Sequence, residues 1–364
     1  ANLSSVNGGS IGTKNLIING AMNVAQRGTS STDQIYSTVD RIRTSRTGND
    51  EAPTYAQVDV ASGTTPYTLG FRKAFKVTNG NQTVGAGAAD VTQFGTRIEG
   101  QDMNNSGWNY TSSSSYITLQ FWVKASVAQN YFFRVFTKDG TEQNFPMETG
   151  ALTANTWTKI TKTIPGNSNL QIDNDNGRGF DVAWTLYRGT NSTDSGCSLN
   201  TWAATGSSTS LYPDLPTTWY TTNDATFEIT GVQLEVGSTA SNFAFESYAE
   251  TLRKCQRYFV MFSGDVNAYR IGMGYVLSTT SAFIYAHLPV PMRTKPTTIE
   301  TNGTPSNYAV HTGAVDNATS LTVHIQSTAN LGIVNLIGTG FPANEACHMR
   351  PANTTAFIGL GCEL

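Results

Sequence analysis

Short β-strands are predicted along most of the chain by the alternation of apolar and polar positions. The clearest case is Thr226–Val236, where Phe227, Ile229, Val232 and Leu234 are apolar and the residues between them are polar or small. Side chains two positions apart share one face of a strand, so the segment predicts a strand with one buried face. Comparable segments, with polar turn residues between them, span 54–60, 73–79, 116–126, 130–140, 157–165 and 180–189. Such a series of short strands is typical of a β-sandwich.

Helical spacing replaces this alternation after residue 245. The apolar positions there recur at steps of four, three, four and three residues and are Tyr248, Leu252, Cys255, Phe259 and Phe262. The spacing places them on one helical face and predicts a linking helix over 246–262. Two interpretations follow: the helix lies across a β-domain, or its apolar face forms an oligomer seam at a three-fold axis. Two heptads are too few to choose between them.

The order of these patterns predicts four segments. Residues 1–14 are rich in Ser, Asn and Gly and predict an N-terminal arm that is flexible or serves for docking. Residues 15–245 are predicted to form a β-sandwich, and 246–262 the linking helix. Strand patterns resume after the helix, so 263–364 is predicted to be a second, smaller β-domain. The predicted fold class is therefore all-β.

Composition narrows the classes of function. Of 364 residues only 13% are charged, the formal net charge is −3, and 34 residues are glycine. A typical domain has about a quarter of its residues charged, and here Thr, Ser, Asn and Gly take that place. The slightly acidic balance does not indicate nucleic acid as a partner. No apolar run approaches the ~20 residues that span a bilayer, and the first residues do not resemble a signal peptide, so we expect neither membrane insertion nor export by that route.

Metal and cofactor sites receive little support. The cysteines lack zinc spacing, and we expect mostly buried free thiols, although an even number permits two disulfides: Cys197, Cys255, Cys347 and Cys362. Asp173, Asp175 and Gly177 follow the D-x-D-x-G order of calcium loops, but the later acidic ligand of such loops is absent. Asn-Asp-Asn-Gly runs also build tight turns, which is the interpretation we favour. We expect no cofactor, with calcium at Asp173 and Asp175 as the alternative.

Catalytic signatures are missing from the sequence. All four histidines lie beyond residue 262, and there is no GxSxG elbow, HExxH helix or phosphate-binding loop. A glycosidase needs only two carboxylates facing each other across a cleft, and Glu99, Asp102, Glu228 and Glu235 are available for that role. Their positions in the sequence do not place any two of them face to face. We therefore predict no catalytic residue.

Aromatic residues in polar segments are the predicted ligand contacts. The C–H face of a sugar packs on an aromatic ring, while amides and carboxylates bind its hydroxyls. Trp122 and Trp157 belong to strand patterns and are expected in the core. The predicted glycan-binding residues lie in loop-like stretches and are Trp108, Tyr110, Tyr212, Trp219 and Tyr220. An aromatic in a loop also serves as a packing anchor, which is the alternative for each.

Several segments occur in the order found in one protein family. They are NLIINGAMNVAQRGTS (15–30), RIEGQDM (97–103), FWVKAS (121–126), NDNGRG (174–179), FEITGVQLEVGSTASNF (227–243), ETLRKCQRYF (250–259) and VPMRTKPT (290–297). Together they resemble bacteriophage tail-fibre and appendage proteins, which carry a jelly-roll ahead of a short C-terminal domain. FWVKAS followed by WTKITKTIPG (157–166) also resembles the strand pair of family 4, 9 and 22 carbohydrate-binding jelly-rolls. The resemblance covers roughly residues 15–300.

The resemblance implies a fold and a function. The sandwich over 15–245 is expected to be a carbohydrate-binding-like jelly-roll, in a non-enzymatic virion protein made in the host cytoplasm and displayed on a tail or capsid. A homotrimer is expected to recognise host surface polysaccharide or lipopolysaccharide during adsorption, and to dock on other virion proteins through residues 1–14. One alternative is a capsid decoration or tail-assembly protein with no ligand of its own. Another is a polysaccharide depolymerase.

Overall fold

A computed structural model describes residues 15–205, 211–263, 269–301, 303–351 and 356–364. The predicted N-terminal arm, residues 1–14, lies outside these ranges. The chain divides into two units by its internal contacts: unit 1 is Ala1–Thr251 with Leu364, and unit 2 is Leu252–Glu363. This division falls within the segment 246–262 that was predicted to link two domains. Within the described residues, no helix combines the length and the apolar character needed to cross a membrane.

Unit 1 consists of two antiparallel six-stranded sheets. Its strands are β1 (Ser30–Ser31), β2 (Arg43–Thr47), β3 (Thr54–Asp59), β4 (Lys73–Thr78), β5 (Val91–Glu99), β6 (Tyr116–Ala125), β7 (Asn130–Thr137), β8 (Gln143–Ala151), β9 (Thr158–Pro165), β10 (Arg178–Arg188), β11 (Ala203–Ala204) and β12 (Thr226–Val236). The first sheet has the order β1-β3-β4-β12-β6-β9, and the second sheet has the order β11-β8-β7-β10-β5-β2. Short helices α1 (Thr65–Thr68), α2 (Gly100–Asn104) and α3 (Thr218–Thr221) and a 3₁₀ turn (Thr190–Ser192) lie between strands.

The core of unit 1 lies between these sheets because alternate side chains of each strand point inward. Phe121 on β6 in the first sheet meets Trp184 on β10 in the second sheet edge to face, with 5.4 Å between ring centroids. Phe94 on β5 stacks on the same indole, also at 5.4 Å. All three rings are buried. The two-sheet arrangement confirms the predicted all-β sandwich.

A bulge at Gly231 divides the closing strand β12. Before the bulge, β12 pairs with β4 on one side and with β6 on the other. After it, β6 continues, while the N-terminal segment replaces β4: the Val232 amide donates to the Gly20 carbonyl and the Leu16 amide to the Leu234 carbonyl, each at 2.9 Å. Gly231 has φ +63°, a left-handed conformation that glycine adopts without strain.

The predicted helix over 246–262 is shorter in the structure. Helix α4 spans Tyr248–Gln256, and Phe259–Phe262 forms strand β13, which pairs with Ile358–Gly361. The proposed seam residues therefore do not share one helical face: Tyr248, Leu252 and Cys255 lie on α4, but Phe259 and Phe262 lie on the strand. A short apolar run such as FVMF satisfies both periods, so spacing alone assigned it wrongly. Tyr248 is 59% exposed, whereas Cys255 is buried.

Unit 2 contains a closed six-stranded barrel and a three-stranded sheet. Its strands are β13 (Phe259–Phe262), β14 (Met273–Ser278), β15 (Ser281–His287), β16 (Thr298–Thr301), β17 (Tyr308–His311), β18 (Val315–Val323), β19 (Leu331–Gly338), β20 (Ala346–Pro351) and β21 (Ile358–Gly361), with a 3₁₀ turn at Pro305–Asn307. The barrel order is β14-β15-β19-β18-β17-β20, and the small sheet has the order β13-β21-β16. The predicted second β-domain is therefore confirmed as a β-structure with its own core.

A histidine pair lies on the barrel. His311 on β17 and His348 on β20 are register partners, and their rings stack with centroids 4.6 Å apart. Burial, followed by the positive charges of Arg270, His311 and Arg350, lowers the pKa of His348 below its usual 6.5. Its Nε2 is buried without a hydrogen-bond partner among the described residues. The ring therefore favours the neutral form.

Candidate functional site

Two of the predicted glycan contacts lie in the loop after α2. Trp108 is 3% exposed and packs edge to face on Phe180, with ring centroids 5.9 Å apart. Tyr110 is half-buried beside it, and its hydroxyl donates to the Ile172 carbonyl at 3.4 Å. Trp108 therefore has no ring face open to a sugar, and both side chains anchor their loop to the sandwich.

The other three predicted contacts are fully buried. Trp219 and Tyr220 lie on α3, and the Asn79 side-chain amide donates to both of their main-chain carbonyls, at 3.3 and 2.6 Å. Tyr212 accepts a hydrogen bond from the Thr185 hydroxyl at 2.8 Å. Their relative exposure is 0%, so these rings pack the interior and cannot stack on a sugar in this conformation. The structure does not gather the five predicted residues on one surface.

The segment around Asp173 and Asp175 forms a tight turn. The Asp175 carboxylate accepts a hydrogen bond from the Gly177 amide, and the Asp173 amide donates to the Asp139 carboxylate, both at 2.8 Å. Partial burial, together with the charges of Asp173 and Asp175, raises the pKa of Asp139. Across the described ranges, no group of three or more His, Cys, Asp or Glu side chains is arranged to hold a metal ion. The side-chain bond to Gly177 is the geometry of an Asx turn.

The carboxylates considered for glycoside hydrolysis are distributed over both sheets. Glu99 is fully buried at the end of β5 and accepts a hydrogen bond from Gln101 at 2.6 Å. Glu228 on β12 forms an ion pair with Lys124 at 2.9 Å. Glu235, on the same strand, accepts hydrogen bonds from the Ser241 amide and the Gln233 side chain. Asp102 is exposed on α2. Glu99, Glu228 and Glu235 are thus each engaged by neighbouring polar groups.

A polar cleft lies on the outer face of the second sheet, across β2, β5, β10 and β7. Inward residues of these strands build the core, so the alternate residues point outward. We call this site the arginine cleft and define it by its long polar and charged lining side chains, which are Arg43, Gln93, Arg97, Arg134, Arg178 and Asp181. Four of its six defining side chains are therefore guanidinium groups, in a chain that is otherwise poor in charge.

Asp181 holds two of these arginines. Arg178 Nε donates to Asp181 Oδ1 at 2.7 Å, and its Nη2 contacts Oδ2, which makes a bidentate pair. Arg97 Nε lies 3.5 Å from Oδ2 of the same carboxylate, and Arg97 Nη1 donates to the main-chain carbonyl of Leu364. Burial lowers the pKa of Arg97, and the nearby positive charges of Arg178 and Arg43 lower it further. One carboxylate thus balances only part of the positive charge.

Arg134 forms the buried wall of the cleft and is only 6% exposed. Its Nη1 donates to Asn144 Oδ1 at 3.0 Å and lies 3.6 Å from a carboxylate oxygen of Glu142. Its guanidinium carbon lies 3.8 Å from the centroid of the Phe136 ring and 5.8 Å from that of Tyr212. The Nε–H is buried and has no hydrogen-bond partner within the described chain. A buried donor without a partner costs about 1–3 kcal/mol, which a ligand acceptor could recover.

The arginine cleft was not predicted from the sequence, because the expected signal of a ligand site was an aromatic residue in a polar loop. Arg97 and Arg178 lie in segments that carried the family resemblance, and no role was assigned to either. A signal was present at Phe133, Arg134 and Val135, where an arginine lies between two apolar residues of one strand. If both neighbours face the core, the arginine must face outward. Four arginines on strands of one sheet can then share a surface, but only the strand order brings them together.

Comparisons with known proteins give structural similarities only. No protein-family model matches the chain, and no curated protein sequence matches it. Among solved structures, the enzymatically active domain of bacteriophage CBA120 tailspike protein 4 is 11% identical, with a TM-score of 0.34, over 61% of this chain and 21% of that one. The match spans about a fifth of that tailspike chain.

Carbohydrate-binding modules are also among the similar structures. A family 11 module from Clostridium thermocellum, in complex with a β-1,3-1,4-mixed-linked tetrasaccharide, is 10% identical over 58% of this chain and 98% of that one, with a TM-score of 0.28. The N-terminal cellulose-binding domain of Cellulomonas fimi β-1,4-glucanase C is 12% identical over 60% and 99%, with a TM-score of 0.27. All three TM-scores are below 0.5, so the inferences about function below rest on this chain's own residues.

Proposed function

We propose that unit 1 is a non-enzymatic saccharide-binding module, and that the protein is a virion appendage that attaches to host surface polysaccharide or lipopolysaccharide. The observation that carries the proposal is the arginine cleft. It presents several hydrogen-bond donors on the strands of a rigid sheet, and one of them, Arg134 Nε, is buried without a hydrogen-bond partner among the residues that the structure describes. Convergent polar groups on a rigid scaffold are typical of ligand sites, and the hydroxyl and ring oxygens of a sugar are suitable acceptors.

The virion role is supported by the sequence resemblance to tail-fibre and appendage proteins. We further propose a homotrimer that docks on other virion proteins through residues 1–14. Light scattering tests the oligomer: a mass three times 39.2 kDa is expected, and a mass of 39.2 kDa would exclude the trimer.

A glycan array tests the saccharide site. It is probed with the full chain and with a variant in which a large side chain fills the cleft. Ser45 lies on edge strand β2 and lines the cleft, so Ser45→Trp is expected to abolish binding while leaving the core intact. Thr161→Trp is the matched control, because Thr161 is exposed on edge strand β9 of the first sheet.

Three results would contradict parts of the proposal. An array that stays blank at high protein concentration favours a decoration or tail-assembly protein with no ligand of its own. Equal binding by Ser45→Trp and the parent protein places the saccharide elsewhere. Release of shorter oligosaccharides from a bound glycan would show a depolymerase and overturn the non-enzymatic assignment.

A further inference from the structure

We propose that the saccharide bound in the arginine cleft is acidic and carries an oxyanion substituent, either a carboxylate or a phosphate, that the guanidinium groups hold. This inference rests on the proposed saccharide-binding function and specifies the chemical class of its ligand. A neutral glycan would need hydroxyl-matching donors and acceptors in similar numbers, whereas the cleft offers mainly cationic donors.

The charge balance of the cleft is the first support. Among the described residues that line the cleft, Arg43, Arg97, Arg134 and Arg178 face one acidic side chain, Asp181. Glu142 lies near Arg134, but Lys138 contacts the same Glu142 carboxylate and offsets its charge. An excess of positive charge therefore persists around a partly buried space, where ionic attraction is stronger than in open solvent.

The bonding pattern of the arginines is the second support. Arg178 already binds the Asp181 carboxylate through two nitrogens, Nε and Nη2. This bidentate arrangement is the one in which a guanidinium group binds a carboxylate or phosphate. Arg43 is half-buried on β2, and its side chain makes no hydrogen bond or ion pair with any residue in the described ranges. Arg134 Nε is buried and equally lacks a hydrogen-bond partner there. Two arginines thus retain donors for an incoming anion.

The size of the cleft is the third support. Its void is about 50 Å³, enough for a few water molecules or one small charged group. A whole sugar ring does not fit inside this void. We therefore infer that the anionic substituent enters the cleft while the ring lies over its rim.

A paired glycan array tests the inference, with each uronate, sialylated or phosphorylated glycan printed beside its carboxyl-reduced or dephosphorylated counterpart. The full chain is expected to bind acidic members at least about tenfold more tightly than their neutral counterparts, the effect of losing hydrogen bonds to a charged group. Carboxylated and phosphorylated members on the same array distinguish the two sources of the oxyanion. Binding to the preferred acidic glycan should weaken as salt rises, because exposed charges are screened.

Three variants then locate the contact by titration calorimetry with the preferred acidic glycan. Arg43→Gln is expected to weaken binding about tenfold. Lys159→Gln makes the same charge change on an exposed position of the first sheet and should have little effect. Asp181→Asn removes the competing carboxylate with nearly unchanged shape and should tighten binding several-fold, a gain that misfolding cannot produce.

The outcomes separate the inference from the function on which it rests. A blank array overturns the saccharide-binding function, and this inference with it. Equal binding of acidic and neutral members leaves the function standing and overturns the inference. Equal binding of a single-stranded DNA oligonucleotide shows a general polyanion site and also overturns it, as does an unchanged affinity in both Arg43→Gln and Asp181→Asn.

Discussion

Replacing Gly231 by alanine is expected to destabilise unit 1 by about 2–5 kcal/mol. Two effects contribute to this figure. Gly231 has φ +63°, and an L-residue with a Cβ pays about 1–2 kcal/mol in this conformation. The added Cβ would also lie 2.7 Å from Cζ and 3.0 Å from Cε1 of Phe71, distances at which atoms must move. Forcing extra volume into a packed site costs about 1–3 kcal/mol more.

Phe71 cannot move away easily because neighbouring rings hold it. It is 2% exposed, and its ring centroid lies 4.9 Å from that of Phe243 and 5.0 Å from that of Phe245. A shift of Phe71 would therefore disturb the cluster that packs on the outer face of the first sheet. The backbone of the bulge would also resist a shift, since β12 is hydrogen-bonded to β6 along one edge and to the N-terminal segment along the other.

Urea unfolding followed by tryptophan fluorescence measures this effect in unit 1 alone, because all six tryptophans precede residue 252. Gly150→Ala is the matched control. Gly150 has φ +74° in strand β8 of the same unit, and its Cβ would meet nothing within 4 Å. The control should cost only the ~1–2 kcal/mol of backbone strain. Adding Phe71→Leu should recover part of the loss in Gly231→Ala. Equal losses at Gly231 and Gly150 would show that the contact with Phe71 does not matter.

Three further predictions concern stability and reactivity. The Asn79 side-chain amide shares its two N–H groups among three main-chain carbonyls, two on α3 and one at Thr222, so Asn79→Ala should cost about 1–3 kcal/mol in the same urea assay; a loss below about 0.5 kcal/mol would contradict this role. The folded pKa of His348 is lowered, so the unfolded chain binds more protons than the native one as pH falls below about 6.5, and unit 2 should lose stability there. Calorimetry should show a smaller loss in His348→Gln, and identical pH profiles would contradict the assignment. Cys197 is half-buried with a raised pKa, while the other three cysteines are buried, so a thiol reagent should modify one group slowly in the native protein and none in Cys197→Ser.

The inward-facing apolar side chains of β12 continue on both sides of its Gly231 bulge, whereas strand β8 is interrupted by a proline. Thr226–Val236 matches β12 to the residue, because apolar side chains mark its inward face throughout. Strand β8 contains Pro146, which would normally argue against a paired strand. The structure accommodates it because β11 pairs only with Asn144 and Gln143, so no described residue on that edge accepts a ladder hydrogen bond from position 146. Such an exception depends on the length of a neighbouring strand, which local patterns do not contain.

The candidate site was harder to predict than the fold, for a physical reason. Whether a residue is buried can be predicted largely from its own side chain. A binding site, in contrast, is formed by residues that are distant in sequence. Arg43 and Arg178 come together because β2 and β10 both flank β5 in the second sheet. No local pattern encodes that adjacency. The aromatic residues that sequence favoured are instead used to anchor loops and α3 to the sandwich.

The net charge of the protein and the local charge of the arginine cleft act on a ligand over different distances. The formal net charge of −3 is an average over the whole chain, and it offers no long-range attraction to a densely charged polymer. The cleft acts only at short range, since in physiological salt a charge is screened beyond about 8 Å. DNA carries one charge per ~1.7 Å of its axis and would place many charges outside the cleft, against a surface that is negative on average. A glycan with one oxyanion on each repeating unit places a single charge inside and leaves neutral hydroxyls at the rim. A saccharide with few acidic groups is therefore attracted by the positive cleft without being repelled by the net negative charge of the protein. A densely charged polyanion is attracted by the cleft but repelled by the rest of the surface.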